Sequence, residues 1–137
     1  KAVVMTYNNT PLYFGTNNTL ALTLDTSQNA TFAGTINSGA ITSTGDVTAF
    51  SDVRLKENIN TIDSALDKVV KMRGVTYDRI DSGKGSAGVL ADELESIAPE
   101  LVHDGEYKSV AYGNLTSYLI EAIKELKQEV EVLRATS

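Results

Sequence analysis

The sequence predicts an α+β chain that self-associates: a β-rich segment over residues 1–50, then a small α+β domain over 51–137 ending in a long coiled-coil-like helix. Three observations carry this. Of the 12 Lys and Arg and 18 Asp and Glu in the chain, only Lys1, Asp25 and Asp46 lie before residue 51. That charge-poor segment alternates short apolar runs with Asn, Gly and Ser clusters, the signature of short strands and turns. At the other end, no Gly or Pro follows Asn114, and Leu119, Ile123, Leu126, Val130 and Leu133 recur at alternating four- and three-residue steps, a heptad seam.

In the first segment, Leu20-Ala21-Leu22-Thr23-Leu24 and Ala30-Thr31-Phe32-Ala33-Gly34 read as strands. Asn8-Asn9, Asn17-Asn18, Ser27-Gln28-Asn29, Asn37-Ser38-Gly39 and Thr44-Gly45-Asp46 read as the turns of a strand ladder without a strict repeat. No helix is expected before about residue 60. Tyr7, Tyr13, Phe14, Phe32 and Phe50 bury too little area to stabilise such a ladder, and its strand edges would lie open. Winding three copies about one axis would resolve both difficulties.

In the second segment, Thr61 or Asp63 is positioned to cap a helix carrying Ile62, Leu66, Val69 and Val70, with Gly74 at a left-handed stop. Val75–Ile80 is a strand candidate, residues 81–86 a flexible turn, and Leu90–Ile97 a helix that Pro99 ends. Asp104-Gly105 marks a hairpin between residues 101–103 and 108–112. Asn114 is the expected N-cap of the last helix. Its seam reads either as the face packed on its own domain or as a self-association surface. With Ile123 and Val130 at a positions and Leu at d, the seam alone favours two strands, so a trimer has to rest on other grounds.

The whole-chain numbers exclude several classes. The chain has no cysteine and a single histidine, His103, which leaves no disulfide framework and no basis for a zinc site; no metal or cofactor is expected. A net charge of -6 disfavours nucleic acid and anionic membrane as partners. No apolar run approaches the roughly 20 residues of a membrane span, and with Lys1 at its start the chain is read as a soluble piece of a longer polypeptide. His103 reads as a hairpin residue. Gly83-x-Gly85-x-x-Gly88 spells a dinucleotide fingerprint but lacks the βαβ context that gives the pattern meaning. Asp92, Glu93 and Glu95 read as a solvated helix face, and Asn29-Ala30-Thr31 as a chance sequon.

The junction between the segments reads Phe50-Ser51-Asp52-Val53-Arg54-Leu55-Lys56-Glu57-Asn58-Ile59. Its Ser51-Asp52-x-Arg54-Leu55-Lys56-x-x-Ile59 spacing resembles the signature of the S74 peptidases. These are the C-terminal intramolecular chaperone domains of phage tail fibres, endosialidase-like tailspikes and neck appendages, found also in the myelin regulatory factor of animals. Ala87–Leu94, Ala98–Val102, Tyr107–Tyr112 and Leu119–Leu126 continue the resemblance in order to the end of the chain. Residues 1–50 resemble phage fibre shafts in composition and in phrases such as Asn29-Ala30-Thr31-Phe32-Ala33-Gly34.

The resemblance implies a homotrimer whose C-terminal domain templates the folding of the upstream fibre segment of the same polypeptide. It then cuts the Phe50-Ser51 bond, with Ser51 as nucleophile and Lys56 as base. It also implies assembly in the host cytoplasm, with the fibre part retained in the virion tail and the chaperone domain released. A serine can attack the preceding carbonyl through a five-membered ring with the high effective molarity of an intramolecular reaction. Bringing a lysine from its ordinary pKa near 10.4 to about 7 takes roughly 4 to 5 kcal/mol, for which burial in the assembled trimer is the available source.

Residues five apart lie on opposite faces of a strand and about 140° apart on a helix. Either the chain therefore bends near Val53-Arg54, or the lysine comes from a neighbouring subunit. Asp52 and Arg54 read as an ion pair holding the junction. Two other functions compete: a permanent trimerisation or receptor-binding tip of a fibre in which the dyad never fires, and, more distantly, the animal transcription-factor context.

Overall fold

The computed structural model describes residues 2–136 and is mixed α+β, with small antiparallel sheets and a C-terminal helix. It divides into two compact units, Lys1–Ser51 and Asp52–Ser137.

The first unit is a three-stranded antiparallel meander, β1 (Leu12–Thr16), β2 (Thr19–Leu24) and β3 (Ala30–Phe32), in the order β1-β2-β3. The Asn17-Asn18 turn forms as expected: both residues take positive φ, 50° and 57°, as a two-residue hairpin turn that matches strand twist requires. Register shifts between Phe14 and Gly15, and a Cβ on Gly15 would stand 2.4 Å from the Thr19 carbonyl oxygen, so this bulge admits only glycine. Between β2 and β3 the Asp25 carboxylate accepts from the Ser27 and Asn29 amides and from Asn29 Nδ2, closing the loop.

Phe14 pairs with Leu22 and Leu22 with Phe32, while Leu12 pairs with Leu24 and Leu24 with Ala30. Side chains directly opposite share a face, so one face of the meander is apolar. Nothing in the unit covers it fully, and Phe14 and Phe32 stay about half exposed. The expected ladder stops early: no strand follows Phe32 in this unit among the described residues. Residues 33–50 are exposed throughout, Ile36, Ile41 and Val47 included, because a strand needs a neighbour to bond and this run has none within its own unit.

The second unit comprises α1 (Ala65–Val69), the hairpin β4–β5 (Val75–Asp78, Gly85–Gly88), α2 (Ala91–Glu95), the short hairpin β6–β7 (Val102–His103, Ser109–Val110) and α3 (Tyr112–Ala135). Its core is Leu94, Ala98, Leu101 and Tyr118, with Ile62, Val69, Met72 and Leu115 packed around them. Several boundaries differ from expectation. Residues 85–88, the first two of them read as part of a flexible turn, pair in register with Val75–Asp78. The left-handed glycine is Gly83 in that hairpin, φ 65°, rather than Gly74. Helix α3 begins at Tyr112, ahead of Asn114.

The cap of α1 also departs from the sequence expectation. Neither Thr61 nor Asp63 serves: the N-cap position is Ser64, in left-handed conformation at φ 50°, with no side-chain cap of its own. The orphan amides are met by α3 instead. The Ala65 N–H donates to Glu125 Oε1 at 2.9 Å and the Leu66 N–H to Glu125 Oε2 at 2.8 Å. A carboxylate straddling a helix N-terminus gains from hydrogen bonds and from the helix dipole together. Glu125→Ala is expected to destabilise the second unit by ~1–2 kcal/mol, with Glu125→Gln recovering part of that because one acceptor remains; denaturant unfolding of the two variants checks it.

Tyr118 is buried and donates its hydroxyl to Glu100 Oε1. Burial, and secondly that carboxylate, push the phenol up to about 12. A folded-state pKa raised above the unfolded value stabilises fully below the unfolded pKa and is lost as pH rises through the folded one. Stability should therefore fall by ~2–3 kcal/mol between about pH 10 and 12 on this account. Lys108, held by Glu95 and Asp92, is shifted upward too and loses its pairing in the same alkaline direction. Tyr118→Phe should remove only the first contribution, read as a shallower decline of thermal midpoint with pH.

Candidate functional site: the Phe50–Lys56 junction

Phe50 and Ser51 close the first unit. Phe50 is 97% exposed and Ser51 is exposed. The second unit opens on a single 3-10 turn, Val53–Leu55, that neither strand nor α-helix periodicity describes. It supplies a bend at the position where the sequence requires one if Lys56 is to act within its own chain.

The turn is built by Asp52, the residue after the candidate nucleophile. Its backbone carbonyl accepts from the Leu55 N–H at 3.1 Å, and its Oδ1 accepts from the Arg54 N–H at 2.9 Å, a side-chain cap on an extended N-cap residue. The Arg54 side chain then folds back, donating Nε to Oδ1 at 3.0 Å and Nη2 to Oδ2 at 2.6 Å. This is the planar two-point pairing that only guanidinium provides. Arg54, through its side chain and then its backbone, holds the Asp52 carboxyl below the usual carboxylate range. The turn ends as the Lys56 N–H donates to the Val53 carbonyl at 3.1 Å, and Lys56 itself returns to extended backbone at φ -131°, ψ 143°, with an exposed side chain. The predicted Asp52–Arg54 pair is thus present, and it does more than neutralise charge: it fixes the shape of the segment.

The heptad residues lie on one stripe of α3 and are all exposed: Ile123 at 67%, Leu126 at 48%, Val130 at 37%, with Leu119 and Leu133 in between. The helix packs on its own unit with a different stripe, Leu115, Tyr118, Ala122 and Glu125. The two stripes are offset by one position, about 100° around the helix. The reading of the seam as the intradomain face therefore fails on burial.

The discounted candidates stay discounted. His103 sits exposed on β6 opposite Ser109. Gly83, Gly85 and Gly88 belong to a β-hairpin, and a Cβ on Gly88 would come within 2.3 Å of the Tyr112 hydroxyl. Glu93 pairs with Arg73, while Asp92 and Glu95 share Lys108 at 3.0 and 2.6 Å, so the acidic helix face is ion-paired as well as solvated. Glu125 is the functional cap that sequence reading missed; an acidic residue in line with Leu115, Tyr118 and Ala122 was the available signal. No helix among the described residues is long and apolar enough to cross a membrane.

Comparison with known proteins bears out the resemblance carried by the Ser51–Ile59 motif. Residues 51–103 match the family model of the chaperone of endosialidase, Peptidase_S74. Similar curated proteins are long tail fibre proteins Gp37. That of Enterobacteria phage K3 is 35% identical over 96 residues, covering 62% of this chain and 8% of the relative. That of Enterobacteria phage M1 is 33% identical over 101 residues, covering 65% and 40%, and that of Salmonella phage S16 is 28% identical over 102 residues, covering 65% and 14%. The chain spans well under half the length of these relatives.

Proposed function

We propose that this chain is the C-terminal piece of a phage tail-fibre protein, in which residues 51–137 form an intramolecular chaperone that trimerises, supports folding of the fibre residues ahead of it, and then cuts itself off before Ser51. The observation that carries this is the position of the Ser51-Asp52-x-Arg54-Leu55-Lys56 motif, at the first residue of the chaperone-of-endosialidase match and at the boundary between the two units. Support comes from two exposed apolar surfaces of different kinds: the uncovered face of the β-meander, and the α3 stripe from Leu119 to Leu133. Both ask for further copies of the chain. Pairing strands between chains has a large closure entropy and folds slowly unless templated, which gives the chaperone its task.

In the cut, the Ser51 hydroxyl oxygen attacks the Phe50 carbonyl carbon while Lys56, as neutral amine, accepts the hydroxyl proton. The C–N bond breaks, the proton passes to the departing amine, and an ester joins Phe50 to the Ser51 oxygen. Water hydrolyses this ester, leaving the Phe50 carboxylate and an N-terminal Ser51 with its hydroxyl restored. Both side chains are exposed on the single chain; enclosure of the amine in the assembled trimer is what would switch it on, so that cutting follows assembly. Fibre residues would remain in the virion tail and the chaperone would leave.

Mass spectrometry together with light scattering tests this. The expected result is a trimer that converts in time to a fragment beginning at Ser51. A trimer that stays intact indefinitely would leave a permanent fibre end in place of an autoprotease, and a monomer at micromolar concentration would remove the chaperone as well.

A further inference from the structure

Asp52 and Arg54 are joined by several side-chain hydrogen bonds, yet they are solvent-exposed, Arg54 at 85% and Asp52 at 40% of their side chains. An exposed pair of this kind contributes little to folding stability. What it does fix is geometry. One carboxylate both caps the Val53–Leu55 turn through the Arg54 amide and grips the Arg54 guanidinium at two points. It thereby sets the backbone path that begins immediately after Ser51 and delivers Lys56. A flexible five-residue step would leave nucleophile and base sampling many separations, and intramolecular attack loses rate steeply when reacting groups stray by about an ångström.

We infer that Asp52 and Arg54 form a clamp that positions the Ser51–Lys56 segment for self-cleavage, neither of them acting on the reacting atoms. This rests on the autoproteolytic reading above. Three features of the clamp separate geometry from charge. Asparagine at 52 keeps an oxygen for the Arg54 amide while losing the ionic grip; lysine at 54 keeps the charge while losing the two-point fork; alanine at 52 removes cap and grip together, and alanine at 54 removes the grip while its backbone amide keeps the cap.

The experiment is single-turnover cleavage of the full chain, followed by gel and mass spectrometry at matched trimer fraction, for wild type, Asp52→Ala, Asp52→Asn, Arg54→Ala and Arg54→Lys. Expected is a rate lowered roughly ten- to hundredfold in Asp52→Ala, with light-scattering mass and thermal midpoint unchanged, and with a smaller loss in Asp52→Asn and in Arg54→Ala, where the cap survives. A merely structural role would not produce rescue at constant stability. Wild-type rates in the alanine variants would overturn the clamp while leaving the autoprotease standing. Loss of assembly in Asp52→Ala, with Asp52→Asn no faster at cutting, would make the pair a folding element and also overturn it. Absence of cutting in a wild-type trimer would instead sink the autoproteolytic reading itself.

Discussion

Chains carrying Ser51→Ala or Lys56→Ala are expected to assemble as the wild type does and to remain uncut, the first losing the nucleophile and the second the base. Both side chains lie on the surface of the single chain, and neither belongs to the Leu94–Leu101–Tyr118 core, so their removal should leave the fold of each unit intact. The expected effect on cutting is complete loss on the laboratory timescale, since general-base assistance alone is commonly worth 10²–10⁴-fold. Wild-type cutting should also stop on dilution below the concentration at which the trimer holds together. Analytical ultracentrifugation paired with N-terminal sequencing reads both halves of this result. Cutting that persisted in Ser51→Ala, or that proceeded in dissociated chains, would point to another protease or another nucleophile.

The second large effect is at the seam. Leu126→Asp should abolish assembly, and cutting with it, because each copy would bring a carboxylate into an apolar interface at a cost of several kcal/mol. The exposed position of Leu126 sharpens the experiment: half of its surface is open in the single chain, and the packing of α3 on its own unit runs through Tyr118, Ala122 and Glu125. The variant should therefore fold as a monomer with near-normal helix content, seen by circular dichroism. A trimer that survived the substitution would show that chains associate through some other surface.

How far the sequence revealed these features depends on how local their causes are. The Asn17-Asn18 turn, the Asp104-Gly105 hairpin and the long last helix were legible because each is decided within a few residues, by left-handed tolerance at Asn17 and Asn18, by a polar glycine-containing loop between β6 and β7, and by heptad spacing in α3. The Asp52–Arg54 pair was legible for the same reason: two residues apart, opposite in charge, in a short polar stretch. The cap on α1 was not, since Glu125 lies sixty positions away and no pattern around Thr61 or Asp63 records that a distant carboxylate does their work. Strand β5 hid behind its glycines, its conformation set by register with Val75–Asp78. Residues 33–50 form no strand in the single chain for the complementary reason, that strand propensity without a hydrogen-bonding partner produces no strand. At the site, the five-residue step from Ser51 to Lys56 and its need for a bend could be read directly, whereas the 3-10 geometry of the turn that supplies the bend could not.

The one-position offset between the two stripes of α3 also governs which length changes the helix can absorb. Losing one residue between Gly113 and Leu115 would swing everything downstream by about 100°, exchanging Leu119 for Tyr118 and Ile123 for Ala122 at the domain face, so that bulk would replace a small, buried side chain. Adding seven residues after Leu133 would instead lengthen the seam in phase and leave the domain untouched. Length changes in this helix thus fall into two kinds: beyond Glu125, whole heptads would extend the exposed stripe in phase and other increments would turn its far end away, whereas a single residue gained or lost ahead of Leu115 would rotate the side chains that pack on the domain.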